Sequence, residues 1–217
     1  MIDGVEVAID REAVVVTARE PLTIVSSAFV GGGFAAARTI VNLHVRKNIR
    51  EAETDGLLPG FVERREIPGP WIGLLTSAWT EKAVVAESAG AGMTALAVVT
   101  VGLSNRITAG RTPVGAWAPT TINAILVVDG DPETAALVNA VMTVTEVKTS
   151  LLASVDLRCD DGRAASGTST DAVVVAATGR GPRCRFGGPI SDLGWVVARA
   201  AHDALEAGIH RWLEEHR

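Results

Sequence analysis

Two segments of the sequence place polar, potentially reactive side chains inside apolar stretches. Residues 137–149 hold Glu146 and Lys148, and residues 166–176 hold Asp171. A buried polar group without a partner destabilises a fold by about 1 to 3 kcal/mol, and a buried unpaired charge destabilises it by more. We therefore expect these groups to be paired with one another or used in chemistry.

The second segment begins with a run of hydroxyl groups. Residues 167–171 read Gly-Thr-Ser-Thr-Asp and stand at the entrance of an apolar strand. Such a segment could place a nucleophile or hold a substrate amide, because hydroxyls and backbone N–H groups can stabilise a developing oxyanion. The alternative is a turn that is satisfied by its own Ser and Thr side chains. There is no Gly-x-Ser-x-Gly elbow to favour the nucleophile, so both interpretations stay open.

Residues 133–153 are predicted to form a helix. Asp131-Pro132-Glu133 has the form of an N-cap followed by Pro and an acid. Four polar residues spaced by four, three and four form one stripe, which is also typical of a solvent-facing surface: Asn139, Thr143, Glu146 and Ser150. Lys148 lies roughly 200° around the helix from Glu146. If both belong to one site, another element must lie between them.

Most of the remaining chain predicts strands. Residues 5–9 and 13–17 predict a hairpin, and residues 22–30 a further strand. Residues 38–45 alternate so that Asn42 and His44 share a face, and the apolar run 121–128 around Asn123 predicts a central strand. Further strands are predicted at 72–76, 83–87, 94–101 and 171–177, and helices at 59–67 and 194–212. Strands outnumber helices and come in runs, which predicts an α+β fold with a mixed or largely antiparallel sheet in a single domain over residues 1–217.

Several other residues could contact a ligand. Gly31, Gly32 and Gly33 lack the rest of any phosphate-binding motif, so they predict close backbone approach to a ligand or to a strand. His44 is interpreted either as a packed, hydrogen-bonded histidine or as a ligand-binding one. Asn105 follows a strand and can cap a turn or reach a ligand. Because there is no His-Glu-x-x-His, cysteine cluster or Asp-rich loop, no metal site is predicted.

Composition excludes several classes of function. Twenty Lys and Arg against twenty-five Asp and Glu give a net charge of −5 without a basic stripe, so no nucleic-acid partner is expected. The N-terminus lacks a signal pattern and no uninterrupted apolar run reaches about 18 residues, which predicts a cytoplasmic protein without a membrane span. Cys159 and Cys184 are then expected as free thiols. The apolar content and five tryptophans allow a homo-oligomer.

Read together, these segments resemble the adenosylcobinamide amidohydrolases of corrinoid salvage. The resemblance runs over about residues 25–177, and it rests on six pieces in family order: Gly31-Gly-Gly33 with Ala37-Arg38, Val41-Asn-Leu-His-Val45, Gly102-Leu-Ser-Asn105, Thr121-Ile-Asn-Ala-Ile125, Leu137-Val-Asn-Ala-Val141 through Thr145-Glu-Val-Lys-Thr149, and Gly167-Thr-Ser-Thr-Asp-Ala-Val-Val-Val-Ala176. It implies hydrolysis of the amide that joins aminopropanol to the corrin side chain, giving adenosylcobyric acid. Cobalt would arrive inside this small-molecule substrate, and no separate cofactor is expected.

The resulting hypothesis assigns roles to both opening segments. Glu146 or Asp171 would act as general base on water, with Lys148 and residues 168–170 stabilising the oxyanion. A Thr170 nucleophile is the competing version. The predicted substrate-binding residues are Gly31, Gly32, Gly33, Asn42, His44, Asn105, Asn123, Thr168 and Ser169. Two other functions stay open: a corrinoid-binding or carrier protein without chemistry, and an amidase for another substrate.

Overall fold

Strands fill the first half of the chain, and two long helices lie in the second half. The computed structural model describes residues 1–115 and 119–216. In chain order the elements are β1 (Val5–Ile9), β2 (Ala13–Ser26), β3 (Gly33–His44), α1 (Leu57–Arg64), β4 (Trp71–Thr76), β5 (Val84–Gly90), β6 (Met93–Val101), β7 (Arg106–Ile107), β8 (Ile122–Asp129), β9 (Asp131–Pro132), α2 (Thr134–Ser154), β10 (Gly167–Thr168), β11 (Ala172–Ala177), β12 (Arg183–Cys184) and α3 (Asp192–Glu215). The predicted α+β class is confirmed.

The main sheet is mixed and mostly antiparallel. Its strand order is β4-β3-β2-β11-β8-β6-β5, with β1 also paired to β2. The β3–β4 and β11–β8 pairs are parallel, whereas the other pairs in this sheet are antiparallel. Residues 122–128 of β8 are all buried between β11 and β6. The prediction of a central strand here is confirmed.

The sheet curls because its longest strand is irregular in the middle. Residues 13–26 form one strand, where the sequence pattern predicts two, and its pairing with β3 shifts register between Thr17 and Leu22. Such irregularities bend a strand and increase its twist. Asn42 of β3 consequently reaches Thr100 of β6, although three strands separate β3 from β6 in the sheet order. The part of the sheet formed by β3 and β4 thus packs against the part formed by β6 and β8.

Three apolar clusters follow from the alternation of side chains along the strands. On the outer face, Leu137 of α2 and Leu205 of α3 pack with Leu126 of β8. Inside the curl, Ile40 and Ile72 pack with Ile125. The third cluster lies under α1 and contains Leu58, Phe61, Val41 and Leu43. The outer cluster fixes α2 against the strands that border the candidate site.

The start of α2 differs from the prediction. Its N-cap is Glu133, without a side-chain cap, so the predicted cap at Asp131 is wrong. Asp131 is instead part of β9, which pairs in parallel with β12. The Asp131 amide donates to Pro182 O at 3.0 Å and the Glu133 amide to Cys184 O at 2.8 Å. Strand pairing holds this backbone in an extended conformation, so α2 begins only at Thr134.

The length and composition of α2 are those of a helix that could cross a membrane. In this fold its buried face packs against α3 and the sheet, and that face includes the charged residue Lys148. Packing of this kind is typical of a core helix. The two cysteines, Cys159 and Cys184, are both buried free thiols. Burial raises the pKa of the Cys184 thiol.

Candidate active site

A buried ion pair joins the two segments that carry the reactive side chains. Lys148 lies on the face of α2 that packs against the sheet, next to Val144 and Leu152. Its Nζ donates to Oδ2 of Asp171, the residue before β11, and each of the two side chains is only 11% exposed. The residues are 23 positions apart in the sequence. The helix and the strand entrance therefore form one site.

Asp171 organises the turn that contains the hydroxyl groups. Its Oδ1 accepts hydrogen bonds from the Ile122 amide at 3.0 Å, from the Thr168 hydroxyl and, at 3.4 Å, from the Thr121 hydroxyl. Its Oδ2 accepts from the Thr168 amide at 3.0 Å as well as from Lys148. An ionised carboxylate offers about four lone-pair sites. The donors in place already occupy them, so Asp171 is held rigidly.

Gly167 makes room for the ion pair. A Cβ atom at this position would overlap Oδ2 of Asp171 and lie 2.8 Å from Nζ of Lys148. Any side chain here would have to push the two charged groups apart. The sequence shows Gly167 only as part of a hydroxyl-rich turn, and nothing local indicates this role. The contact becomes visible only once α2 is packed against the strand.

The three hydroxyl-bearing residues of the turn have different environments. Thr168 is buried and bonded to Asp171, as expected for a turn that satisfies its own side chains. Ser169 is exposed and Thr170 half-buried. The Asn105 side-chain amide donates to the Ser169 hydroxyl. The fold thus brings Asn105 to residues 168–171 and leaves the tip of the turn accessible to solvent.

Glu146 lies on the other side of α2. Its side chain is exposed, whereas Lys148 is buried, as the helical angle of about 200° between them predicts. The fold does not bring Glu146 to the ion pair. Thr143 of the same predicted stripe is buried and donates to Gly187 O at 3.0 Å. The stripe is therefore not one continuous solvent-facing surface.

Asn42 and Asn123 form a second polar cluster, together with Thr100, deep between the ends of the sheet. The Asn42 side-chain amide donates to the Thr100 hydroxyl at 3.0 Å. The Asn123 amide donates to Asn42 Oδ1 at 2.8 Å and to Leu75 O at 3.0 Å. Both asparagines are about 1% exposed, and Oδ1 of Asn123 has no hydrogen-bond partner among residues 1–115 and 119–216. Their predicted substrate contacts stay a prediction.

The glycine run leads into β3, which begins at Gly33, and Gly31 and Gly32 make close contacts within the protein. A Cβ on Gly32 would overlap the carbonyl oxygen of Ala28, and one on Gly31 would lie 2.9 Å from Cγ2 of Ile72. Gly31 and Gly33 also have positive φ angles, which disfavour a side chain. The neighbouring Ser27 amide donates to Val173 O at 3.0 Å. The loop thus flanks the same end of β11 as Asp171.

An open cavity of about 800 Å³ lies between the end of β3, residues 77–79 and the C-terminal part of α3. Ser104 and Thr120 line it, and each is followed in the chain by a residue bonded to the turn, Asn105 or Thr121. Consecutive Cα atoms are about 3.8 Å apart. The edge of the cavity thus lies one residue along the chain from two side chains that contact residues 169 and 171.

Two stacked ring pairs line this cavity. His44, at the end of β3, stacks on Trp79 with ring centroids 4.8 Å apart, and its Nδ1 lies 3.0 Å from Ala78 O. Trp212 and His216 of the last helical segment stack with centroids 4.0 Å apart. Lys82 donates to Glu215 at 2.6 Å, and this hydrogen bond lowers the pKa of Glu215. Flat aromatic rings and charged side chains thus line the same cavity.

Metal ligands do not converge in this region. In the part of the chain that the structure describes, no three His, Cys, Asp or Glu side chains are grouped as metal ligands. The reactive groups that do converge are an ammonium, a carboxylate and hydroxyls. An amide-hydrolysing enzyme needs groups of these kinds: a nucleophile or activated water, and donors for the oxyanion. The fold is α+β, and the groups that meet at the site are of the kinds that a hydrolase uses.

Comparison with known proteins gives the family. The model of the CbiZ family, described as adenosylcobinamide amidohydrolase, matches residues 1–217. The chain therefore belongs to this family, and it is a hydrolase that acts on an amide bond. The resemblance seen in the sequence is confirmed. No curated protein matches the chain.

Two solved structures have weak similarity to the chain. The PH0078 protein from Pyrococcus horikoshii OT3 is 16% identical, with a TM-score of 0.48. The alignment covers 99% of this chain and 80% of the PH0078 chain. A Burkholderia sp. beta-aminopeptidase is 14% identical, with a TM-score of 0.47. The alignment covers 94% of this chain and 79% of the aminopeptidase chain. At this level neither similarity indicates a shared mechanism.

Proposed function

We propose that residues 167–171, together with Lys148, are the catalytic centre at which this amidohydrolase cleaves the aminopropanol amide of adenosylcobinamide. The observation that carries the proposal is the buried Lys148–Asp171 ion pair beneath a turn in which Ser169 is exposed and Thr170 is half-buried. Two charges removed from water need good geometry and further hydrogen bonds to be tolerated. Asp171 has both, because backbone amides and hydroxyls donate to the two oxygens of its carboxylate.

Lys148 is the proposed oxyanion partner. As the scissile carbonyl is attacked, negative charge develops on its oxygen, and a fixed donor in a site with little water stabilises that charge strongly. Asp171 uses only one of the three N–H groups of the ammonium. The saturated hydrogen bonding of Asp171 makes it a positioning residue, which holds Lys148 and the turn in place.

The attacking group is either a water molecule or the Thr170 hydroxyl. Asp171 as general base would have to exchange a hydrogen bond for the water, and the 3.4 Å bond from Thr121 is the weakest of those present. Glu146 as general base would need a substrate or loop that reaches across α2. The position of the turn favours a role for Thr170, with Ser169 and Asn105 contacting the amide.

The wider assignment follows from the family and is also a proposal. The partner is a small corrinoid whose cobalt arrives with it, and we assign no cofactor to the enzyme itself. The product, adenosylcobyric acid, would re-enter cobalamin synthesis. The two buried free thiols fit a reducing compartment such as the cytoplasm. We keep nucleic acid and membrane outside the proposed partners, and a homo-oligomer stays a prediction.

The decisive experiment incubates the purified protein with adenosylcobinamide and measures adenosylcobyric acid and aminopropanol. We expect stoichiometric formation of both products. Tight binding without product would instead indicate a carrier, and cleavage of simple amides alone would indicate another amidase.

Thr170→Ala, with Thr170→Ser as its matched control, tests the site itself. Loss of a nucleophile or of a group that positions water lowers kcat by at least about a hundredfold, whereas serine keeps the hydroxyl. Ser169→Ala, at the exposed neighbour, is expected to have a smaller effect. Equal kcat for Thr170→Ala and wild type, in folded protein, would rule out the Thr170 hydroxyl as the attacking group and leave water in that role.

A further inference from the structure

A cationic side chain stands directly across a strand pair from the hydroxyl-bearing turn. β10, which forms the first part of the turn, pairs with β7 in an antiparallel register that places Arg106 opposite Thr168. Neighbouring strands are about 4.8 Å apart, and side chains of directly opposite residues project from the same face. On that face the Thr168 hydroxyl donates to Asp171. The Arg106 side chain therefore begins next to the proposed catalytic centre.

The hydrogen bonding of Arg106 is incomplete. Its Nε is buried and has no hydrogen-bond partner within residues 1–115 and 119–216. Its Nη2 donates to Oδ1 of Asp160 at 3.2 Å, but the Asp160 side chain is 98% exposed. An ion pair in water contributes little to stability, whereas a buried N–H without an acceptor destabilises a fold. Stability therefore gives no reason for an arginine at this position.

Arg106 also determines the net charge next to the turn. The charges of Lys148 and Asp171 cancel within their ion pair, and the Asp160 carboxylate is screened by water. The Arg106 side chain is 31% exposed and lines an open groove of about 560 Å³ together with Ser104 and Trp212. A ligand can reach it there, and a positive charge favours an anionic one.

Amide hydrolysis produces one anion and one cation. Water adds to the carbonyl carbon and the C–N bond breaks, so that the acyl half leaves as a carboxylate and the amine takes up the proton as an ammonium. The balance is the same if Thr170 first forms an ester that water then cleaves. A guanidinium attracts the carboxylate and repels the ammonium. The charge of Arg106 therefore distinguishes the two halves of the scissile amide.

We propose that Arg106 binds the acyl half of the scissile amide and, after cleavage, holds the carboxylate of the acid product. The amine then leaves on the side away from Arg106. This inference rests on the proposed function, because it places the scissile amide at residues 167–171. A guanidinium can form two parallel hydrogen bonds with a carboxylate. Turning away from Asp160 to do so would give Nε the acceptor that it lacks.

The test measures equilibrium binding of adenosylcobyric acid and of its primary amide, which has nearly the same size and no negative charge. We expect the wild-type protein to bind the acid about tenfold more tightly, a difference of about 1.4 kcal/mol. Arg106→Gln should remove this preference, and Arg106→Lys, which keeps the charge without the fork, should retain part of it. The matched control is Arg199→Gln, which breaks a surface ion pair with Asp203 of similar length, 3.3 Å, and should leave both affinities unchanged.

Asp160→Asn separates product binding from a structural role of Arg106. If Arg106 serves only to hold Asp160, the two variants Asp160→Asn and Arg106→Gln should weaken acid binding equally. If Arg106 binds the product, Asp160→Asn should leave the affinity for the acid unchanged or raise it, because a competing carboxylate is gone.

Three results would overturn this inference alone: equal wild-type affinities for acid and amide, equal loss of both ligands in Arg106→Gln, or the same loss of acid binding in Asp160→Asn. A preference for the acid that depends on Arg106, without any turnover of adenosylcobinamide by the wild-type protein, would instead overturn the proposed function.

Discussion

The protein has two polar clusters at the ends of apolar strands, and they differ in charge and in exposure. Asn42, Thr100 and Asn123 are neutral and almost completely buried. Lys148 and Asp171 are charged and lie beneath a turn whose Ser169 is exposed. The first cluster connects distant strands of the sheet, and the second connects α2 to the start of β11. A neutral, hydrogen-bonded buried cluster is typical of a structural role, whereas a buried ion pair beside hydroxyl groups is typical of a reactive site.

The largest effect is expected for Asp171→Ala, which removes the carboxylate of the charged cluster. It leaves Lys148 as a buried charge without its partner, which destabilises the fold by about 3 to 5 kcal/mol. Activity should fall at least a hundredfold, because the turn and the ammonium lose their common anchor. Urea unfolding and a kcat measurement on the folded fraction check the two effects.

The double variant Lys148→Met with Asp171→Leu separates stability from catalysis. Replacing a buried ion pair by apolar residues is often neutral for stability or better. We expect most of the unfolding free energy to return while activity stays lost. Recovery of activity together with stability would show that the pair has no part in the chemistry.

Gly167→Ala should have the next largest effect. Its methyl group must displace Lys148 or Asp171, and overpacking of this kind destabilises a protein by about 1 to 3 kcal/mol. Activity should fall more than stability explains, because the displaced groups are those of the proposed centre. Gly33→Ala is a useful comparison, since a Cβ there meets no atom within 4 Å and only its positive φ is strained. Equal loss of kcat in both variants would contradict the role given to Gly167.

Asn123→Ala tests the neutral cluster. It removes the hydrogen bonds to Asn42 and Leu75 and leaves their buried acceptors unsatisfied, which destabilises the fold by about 1 to 3 kcal/mol. We expect KM for adenosylcobinamide to change by less than about threefold in protein that remains folded. A large rise in KM at unchanged unfolding free energy would favour the predicted substrate contact instead.

Glu146→Gln should have the smallest effect. The side chain is exposed and forms no ion pair or hydrogen bond with residues inside the described ranges, so its removal should change the unfolding free energy by no more than about 0.5 kcal/mol. If Asp171 and the turn form the centre, kcat should stay within about twofold of wild type. A hundredfold loss of kcat would make Glu146 the general base and require a rearrangement around α2.

Sequence patterns predicted most of the fold because burial follows local periodicity. The alternation in residues 38–45 placed Asn42 on the inner face with Ile40, and the apolar run 121–128 became the central strand β8. Residues 13–26 were harder, since Glu20 and Pro21 suggest a break that strand pairing overrides. The same competition between local and non-local hydrogen bonds moved the N-cap of α2 from Asp131 to Glu133.

The sequence by itself shows which chemical groups the candidate site contains. The ammonium, the carboxylate and the hydroxyls stand in segments that the family match covers, and the helical angle separates Glu146 from Lys148 without any knowledge of the fold. The sequence does not show which of these side chains pair with one another. Lys148 meets Asp171 across 23 residues, and Asn42 meets Thr100 across 58, because the strand order and the curl of the sheet bring these segments together. Periodicity indicates which way a side chain points, but only the packed chain determines which partner it meets.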